Sequence, residues 1–290
     1  MPAEKSLAIV LRLVEFSETS LVVTLFTRDF GKITALAKGA RRPKGPFEAA
    51  LDLLALVRVV FLHKSSDALD LLTEAKLERR FRAAARDLSR LYAGYYVAEL
   101  LAELTDEDDP HPELFDEANR TLELLDCDAP VAAALLALEL SALRLLGHLP
   151  SLRECVGCGA AVASEGRIPF GLVAGGVLCP KCRSGQRSVV SISAAALEAM
   201  RQLSEPRGGH TRLLSRVAPR PETEIDSEPR GSSPRPETPE VGGQRAEVRE
   251  QRSEEVDPKI LGELRGLMNN YLAHHLGHKL RMHAYLGRVK

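Results

Sequence analysis

Residues 21–45 read LVVTLFTRDFGKITALAKGARRPKG. Two seven-residue runs of Val, Leu, Ile, Phe, Thr and Ala flank RDFG, a turn-forming insert, so the stretch reads as a β-hairpin. Working outward, LAIVLRLVEF (7–16) precedes it, and LLALVRVVFLH (53–63) and LDLLTEAK (69–76) follow, separated by SETS, GARRPKGPFEA and SSDA. Five short strands with such connections suit a small barrel such as an OB-fold. A two-layer sheet of another topology is the alternative.

From residue 81 the apolar period lengthens. Phe81, Ala85, Leu88, Tyr92, Tyr95, Ala98 and Leu101 recur at three- and four-residue spacing, the buried face of a helix. PELFDEANRTLELL (112–125) opens a second helix with Pro112 in its first turn, and residues 130–146 form a third, nearly all Ala and Leu, which Gly147 ends. SISAAALEAMRQL reads as a helix capped by Ser193, and Asp257-Pro258 as the start of a long final helix. Ile260, Leu264, Leu267, Tyr271, Leu272, Leu276 and Leu280 line one face of it. Residues 204–256 hold seven of the seventeen prolines and no aromatic residue, so they cannot bury enough apolar surface to offset chain entropy and read as disordered linker.

The net charge of −1 rules out a uniformly basic protein, but the distribution is uneven. Residues 28–44 carry a net +5, whereas residues 99–128 hold twelve carboxylates against Arg120 alone. An acidic run is most often a solvated helical face. No apolar run is long enough to span a bilayer, and the N-terminus lacks the pattern of a signal peptide, so the expected location is cytoplasmic.

In a reducing compartment the five cysteines are better suited to metal binding than to disulfides. CVGC at 155–158 and CPKC at 179–182 are two C-x2-C turns separated by twenty residues. Such turns can present Cys155, Cys158, Cys179 and Cys182 to one Zn2+ at tetrahedral angles. With all four positions filled by protein, the ion would be structural. A redox role for the CxxC pairs is the lesser alternative, because no βαβ context surrounds them. Cys127 falls outside the pattern.

His274 and His278 are spaced one helical turn apart, but no carboxylate ligand or HExxH context accompanies them, so a solvated, weakly basic stretch beside Lys279 and Arg281 is the plainer reading. There is no Walker loop, GxGxxG or GxSxG, and the sequence gives no support for an enzyme. The loop AKGARRPKG (37–45) follows the third strand and offers Lys38, Arg41, Arg42 and Lys44. OB-folds bind single strands through a charged groove and aromatic platforms. Aromatics are scarce here, and most of Phe16, Phe26, Phe30, Phe47 and Phe61 are expected to fill the barrel. Backbone-directed binding is therefore favoured over base readout.

ETSLVVTLFTRDFGKITALAKGARRPKG (18–45) resembles the N-terminal part of the RecO family of bacterial DNA repair proteins. The resemblance continues through FRAAARDLSRLYAGYYVAELLAEL, PELFDEANRTLELL, LRLLGHLPSLREC, CVGCG and GGVLCPKC to YLAHHLGHKLRMHAYL, and covers nearly all of the chain except residues 204–256. It implies an α+β multidomain protein: an N-terminal OB-fold β-barrel and an α-helical domain with an inserted four-cysteine zinc module. The corresponding expected boundaries are 1–80 for the barrel, 81–150, 188–203 and 257–290 for the helical domain, 151–187 for the zinc module and 204–256 for the linker.

The resemblance further implies a non-catalytic mediator of recombinational repair. It would bind and anneal single strands, also bind double-stranded DNA, and with RecR assist RecA on DNA coated by single-stranded-DNA-binding protein. It places Lys38, Arg41 and Arg42 on the family's basic loop with Lys32 and Lys44 adjacent, and Cys155, Cys158, Cys179 and Cys182 on the positions that hold one structural Zn2+. Nucleoid association follows from the same resemblance. Two departures stand out: the linker is long, and the acidic stretch at 99–128 would repel the acidic, apolar tail of the single-stranded-DNA-binding protein. Arg144, on the third helix, is the candidate dock for that tail. The rival reading is a zinc-bearing protein-interaction scaffold that touches DNA only incidentally.

Overall fold

A computed structural model of the chain describes residues 3–42, 45–47, 50–64, 69–85, 87–127, 129–205 and 257–286. The five β-like runs form β1 (Ala3–Glu15), β2 (Leu21–Thr27), β3 (Gly31–Ala37), β4 (Leu56–Leu62) and β5 (Asp70–Arg79). They close on one another in the order β1-β2-β3-β5-β4. Closure depends on the length of β1, whose first half pairs with β4 (Ala3 opposite Leu62) and whose second half pairs with β2 (Glu15 opposite Leu21). An irregularity between Val10 and Arg12 bends the strand between those two tasks. β3 shows the period-two pattern plainly: Ile33, Ala35 and Ala37 are buried, while Lys32, Thr34 and Leu36 are half-buried on its other face. Val10, Val23, Leu25, Ile33, Val57, Val59 and Phe61 fill the interior.

Seven α-helices follow among the described residues, beginning with α1 (Leu88–Leu104), α2 (Pro112–Asp126) and α3 (Val131–Leu145). α1 starts later than the residue-81 period suggests. The Asp87 carboxylate accepts from the Ser89 N–H at 2.8 Å and so sets the first turn, while Ala83–Ala85 make a 3-10 turn. Phe81 instead packs against Gly94, where an added Cβ would come within 2.8 Å of its ring. α3 is the central helix, buried without a break from Ala134 to Leu143.

Between α3 and α5 lie β6 (Arg167–Gly171), β7 (Gly176–Val177), α4 (Pro180–Arg183) and β8 (Val189–Ser193). The three strands form a small antiparallel sheet in the order β7-β6-β8. Ser191–Ser193 thus belong to a strand rather than a helix, and α5 (Ala194–Ser204) begins directly after them, its Ala196 N–H capped by the Ser193 hydroxyl. α6 (Pro258–Leu276) is capped by Asp257, which accepts from the Lys259 N–H at 2.8 Å. Gly277, at φ 77°, ends α6. Leu280 therefore lies beyond the helix, and the chain resumes in α7 (His283–Leu286). The expected linker falls almost wholly at 206–256, outside the described residues.

One apolar cluster joins barrel to helices. It includes Ile9, Leu11, Phe26 and Leu54 from the barrel side and runs through α1, α2, α3, α5 and α6. Polar contacts reinforce the seam: Arg28 makes two hydrogen bonds to Asp116, and Arg79 reaches Asp126 at 3.3 Å and Asn119 at 2.6 Å. Thr34 donates to Glu107 at 3.0 Å, and Glu99 accepts from the backbone N–H groups of Arg281 and Met282. Glu99, Asp116 and Asp126 are therefore parts of a structural seam, while Glu103, Asp106, Asp108, Asp109 and Glu113 stay exposed as a solvated acidic face.

Candidate metal centre and nucleic-acid interface

Each CxxC forms a tight turn. Gly159 N–H donates to the Cys155 carbonyl at 2.8 Å, and Cys182 N–H to the Cys179 carbonyl at 3.1 Å. Val156 N–H donates to the Val177 carbonyl at 3.1 Å, which anchors the first turn on β7. Gly157 lets the two turns meet, since a Cβ there would lie 3.0 Å from the Cys182 Cβ. Gly159 takes a left-handed φ of 72°, as a glycine can.

The four Sγ atoms of Cys155, Cys158, Cys179 and Cys182 lie within 4.8 Å of one another, and Cys158 and Cys179 are 3.8 Å apart. Tetrahedral coordination at a Zn–S distance of about 2.3 Å separates the sulfurs by about 3.8 Å. The donor set thus fits a metal ion in spacing. The sulfurs also interact with one another: the Cys179 N–H pulls the Cys155 thiol down to about 6, while hydrogen bonds with Cys179, Cys158 and Cys155 push Cys182 up to about 12. Four thiolates cannot crowd together without a cation. Cys127 stands apart at the C-terminus of α2, half-buried.

The basic loop leaves β3 at the barrel end and is stitched to the β1–β2 turn. Arg41 N–H donates to the Thr19 carbonyl at 3.1 Å and Gly39 N–H to the Ser20 hydroxyl at 3.4 Å. Lys38, Arg41 and Arg42 are exposed. Arg41 pairs with Glu15 at 3.3 Å, whereas Lys38 and Arg42 have no carboxylate partner among the described residues. Lys44 lies outside the described residues. Lys32 departs from the expected grouping. Its ammonium donates to the carbonyls of Ala102 and Thr105, on the side of the barrel that faces α1.

Arg144 sits half-buried in the last turn of α3. In the four-cysteine segment, Arg153 pairs with Glu205 and Arg167 with Glu263, while Lys181, Arg183 and Arg187 are exposed. His274 and His278 are not one turn apart on a helix, because Gly277 breaks α6 between them; His278 meets Glu103 at 3.4 Å.

Two features had no sequence motif. Phe16 is 64% exposed on the β1–β2 turn, unlike Phe26, Phe47 and Phe61, which are buried. Its only sequence signal is its place beside the turn residues SETS. The second is a buried group in the helical core: Glu139 accepts from the Tyr96 hydroxyl and the Arg265 guanidinium, and His283 lies 3.2 Å from the Tyr96 oxygen.

A closed five-stranded sheet with an exposed cationic loop, fused to helices that carry a four-cysteine cluster, defines a barrel-bearing protein with a candidate metal centre. Comparison with known proteins narrows the class. The family model described as Recombination protein O N terminal matches residues 1–81, and that described as Recombination protein O C terminal matches residues 85–215. The DNA repair protein RecO of Rhodopirellula baltica is 46% identical over 282 residues, 97% of each chain. That of Myxococcus xanthus is 31% identical over 97% of this chain and 96% of its own, and that of Anaeromyxobacter dehalogenans 38% identical over 71% and 80%. The chain belongs to the RecO family of DNA repair proteins. Among the described residues no helix is long and apolar enough to cross a membrane.

Proposed function

We propose that this chain acts as a recombination mediator: it binds and anneals single strands and, with RecR, assists RecA loading on DNA coated by single-stranded-DNA-binding protein. The observation that carries the reading is the exposed trio Lys38, Arg41 and Arg42, whose loop is held to the β1–β2 turn by the Arg41 N–H on the Thr19 carbonyl and the Gly39 N–H on the Ser20 hydroxyl. The strand order 1-2-3-5-4 with β1 returning to β4 supports an OB-fold, whose first inter-strand loop is a usual nucleic-acid contact. Cations on a rigid turn neutralise phosphates of two strands and lower their repulsion, so that complementary bases can pair. No catalytic residue is needed for that.

Zn2+ is the ion that suits four thiolates, and its chemistry here is structural: it would hold the two CxxC turns and the β6–β8 sheet together. In this reading residues 1–80 form the DNA-binding domain, with 151–187 set into a helical domain. Lys181, Arg183 and Arg187 would extend the phosphate track. Arg144 is the proposed contact for the tail of the single-stranded-DNA-binding protein.

The test is annealing of complementary oligonucleotides by wild type and by the Lys38→Glu/Arg41→Glu/Arg42→Glu variant, after circular dichroism shows both folded. Loss of annealing in the variant is expected. Contacts to about four phosphates give a single-strand salt slope of about −3 on log–log axes, which should flatten in the variant. Unchanged annealing with retained RecR binding would favour the protein-interaction scaffold.

A further inference from the structure

Phe16 is the one barrel phenylalanine turned to solvent. Phe26, Phe47 and Phe61 are at most 2% exposed, and Phe30 packs edge-on against Phe61 with ring centres 5.4 Å apart. Phe16, at 64% exposure, belongs to a turn of its own, closed by its N–H donating to the Ser20 carbonyl at 3.1 Å. A single exposed apolar side chain is ordinary on a protein surface. What sets this one apart is the company it is locked into.

Three contacts tie the Phe16 turn to the cationic loop. Glu15, the residue before it, holds Arg41 at 3.3 Å; Thr19 accepts from the Arg41 N–H at 3.1 Å; and Ser20 accepts from the Gly39 N–H at 3.4 Å. The turn that carries the ring and the loop that carries Lys38, Arg41 and Arg42 are therefore joined at one end of the barrel rather than independent. Charge fixes the backbone of a polyanion there, and the ring offers the flat apolar face on which an unpaired base can stack. In a duplex the bases are stacked on each other and present no free face.

We infer that Phe16 is a stacking platform for a nucleobase of single-stranded DNA whose phosphates lie on Lys38, Arg41 and Arg42. The inference rests on the DNA-binding reading of the loop and refines it. Binding on this surface combines sequence-tolerant stacking with phosphate contacts, and the stacking component selects single strands over duplex.

The chain contains no tryptophan, so Phe16→Trp places a single indole at the site. Its fluorescence should be quenched on titration with oligo-dT. Phe16→Ala and Phe16→Leu should each weaken oligo-dT binding about tenfold at fixed salt, within the range known for loss of one base–aromatic stack. Duplex affinity and the salt slope should stay at wild-type values, and melting curves should match. Wild-type oligo-dT affinity in Phe16→Ala, or an unquenched Phe16→Trp that still binds, overturns the proposal. The two readings fail separately. If the Lys38→Glu/Arg41→Glu/Arg42→Glu variant loses DNA while Phe16→Ala does not, only the stacking role is lost. If the charge variant keeps full affinity, the loop itself is not the DNA surface, and the platform falls with it.

Discussion

Lys32 donates to the carbonyl oxygen of Thr105 at 2.5 Å, and the same ammonium reaches Ala102 at 2.6 Å. Those carbonyls belong to the end of α1, where the last turn has no intrahelical donors and carries the negative end of the helix dipole. A lysine on the outward face of β3 thus fastens barrel to helix. Lys32→Met should lower stability by about 1.5–3 kcal/mol, the usual worth of hydrogen bonds to a charged group. Urea denaturation would register the loss. Oligonucleotide affinity and its salt slope should not change; a slope flatter by about one would return Lys32 to the DNA surface.

The cysteine cluster makes a prediction that is independent of DNA. Purified protein should carry about one equivalent of zinc, the load of a four-thiolate site, and Cys158→Ser or Cys179→Ser should carry none. Of the five cysteines only Cys127 lies outside the cluster. Titration with a thiol reagent should therefore rise from one reactive group to five when a chelator is added. Five reactive thiols before chelation, or oxidised pairs released only by reductant, would speak for the redox alternative.

The parts legible in the sequence are those whose cause is local. β3 alternates because one face is buried, and Ser193 and Asp257 cap helices through neighbours two or three residues away. The C-x2-C spacing carries the metal cluster in the same way. What could not be read depends on distant partners. Lys32 finds backbone carbonyls some 70 residues on, which have no signature in the sequence. Asp116 and Asp126 look like members of an acidic face until Arg28 and Arg79 are folded onto them. Gly277 ends α6 through its own left-handed φ of 77°, a local signal that the continuing apolar spacing from Leu276 to Leu280 masks. Phe16 looked like barrel filling because a strand-end aromatic has no periodic neighbour to show which way it faces.

Glu139 is fully buried on α3, and its principal partner, Arg265, comes from α6, beyond the long intervening segment. One oxygen of the carboxylate accepts from both Arg265 and Tyr96, whereas the other, like one Arg265 nitrogen, has no hydrogen-bond partner among the described residues. The Arg265 guanidinium also lies 5.3 Å from the centre of the Tyr96 ring. A buried pair with unmet hydrogen-bonding capacity is weak support for stability as a whole, yet breaking it leaves an uncompensated charge. Glu139→Ala should therefore destabilise by about 3–5 kcal/mol, while Glu139→Leu combined with Arg265→Met should fall within about 1 kcal/mol of wild type. Urea midpoints of the three proteins decide it. A double variant as unstable as the single one would make the ion pair a net stabiliser.

His283 closes the same group from α7, its ring 5.2 Å from that of Tyr96. Burial, followed by repulsion from Arg265 and Lys279, pulls its imidazole down to about 4. An unfolded histidine titrates near 6.5. Between those values the unfolded chain binds a proton that the folded one refuses, so this residue's contribution is complete above about pH 6.5 and is lost as the pH falls toward 4. Carboxylates titrate over part of the same range, but they are common to wild type and a His283→Gln variant and cancel in the comparison. Melting temperatures by circular dichroism from pH 7 to pH 4 should fall more steeply for wild type than for His283→Gln, by a few degrees for a chain of this size. Parallel curves would mean that α7 lifts from α1 and exposes the imidazole before the core responds, and Tyr92–Tyr285, whose rings are 5.1 Å apart, would then be the next contact to remove.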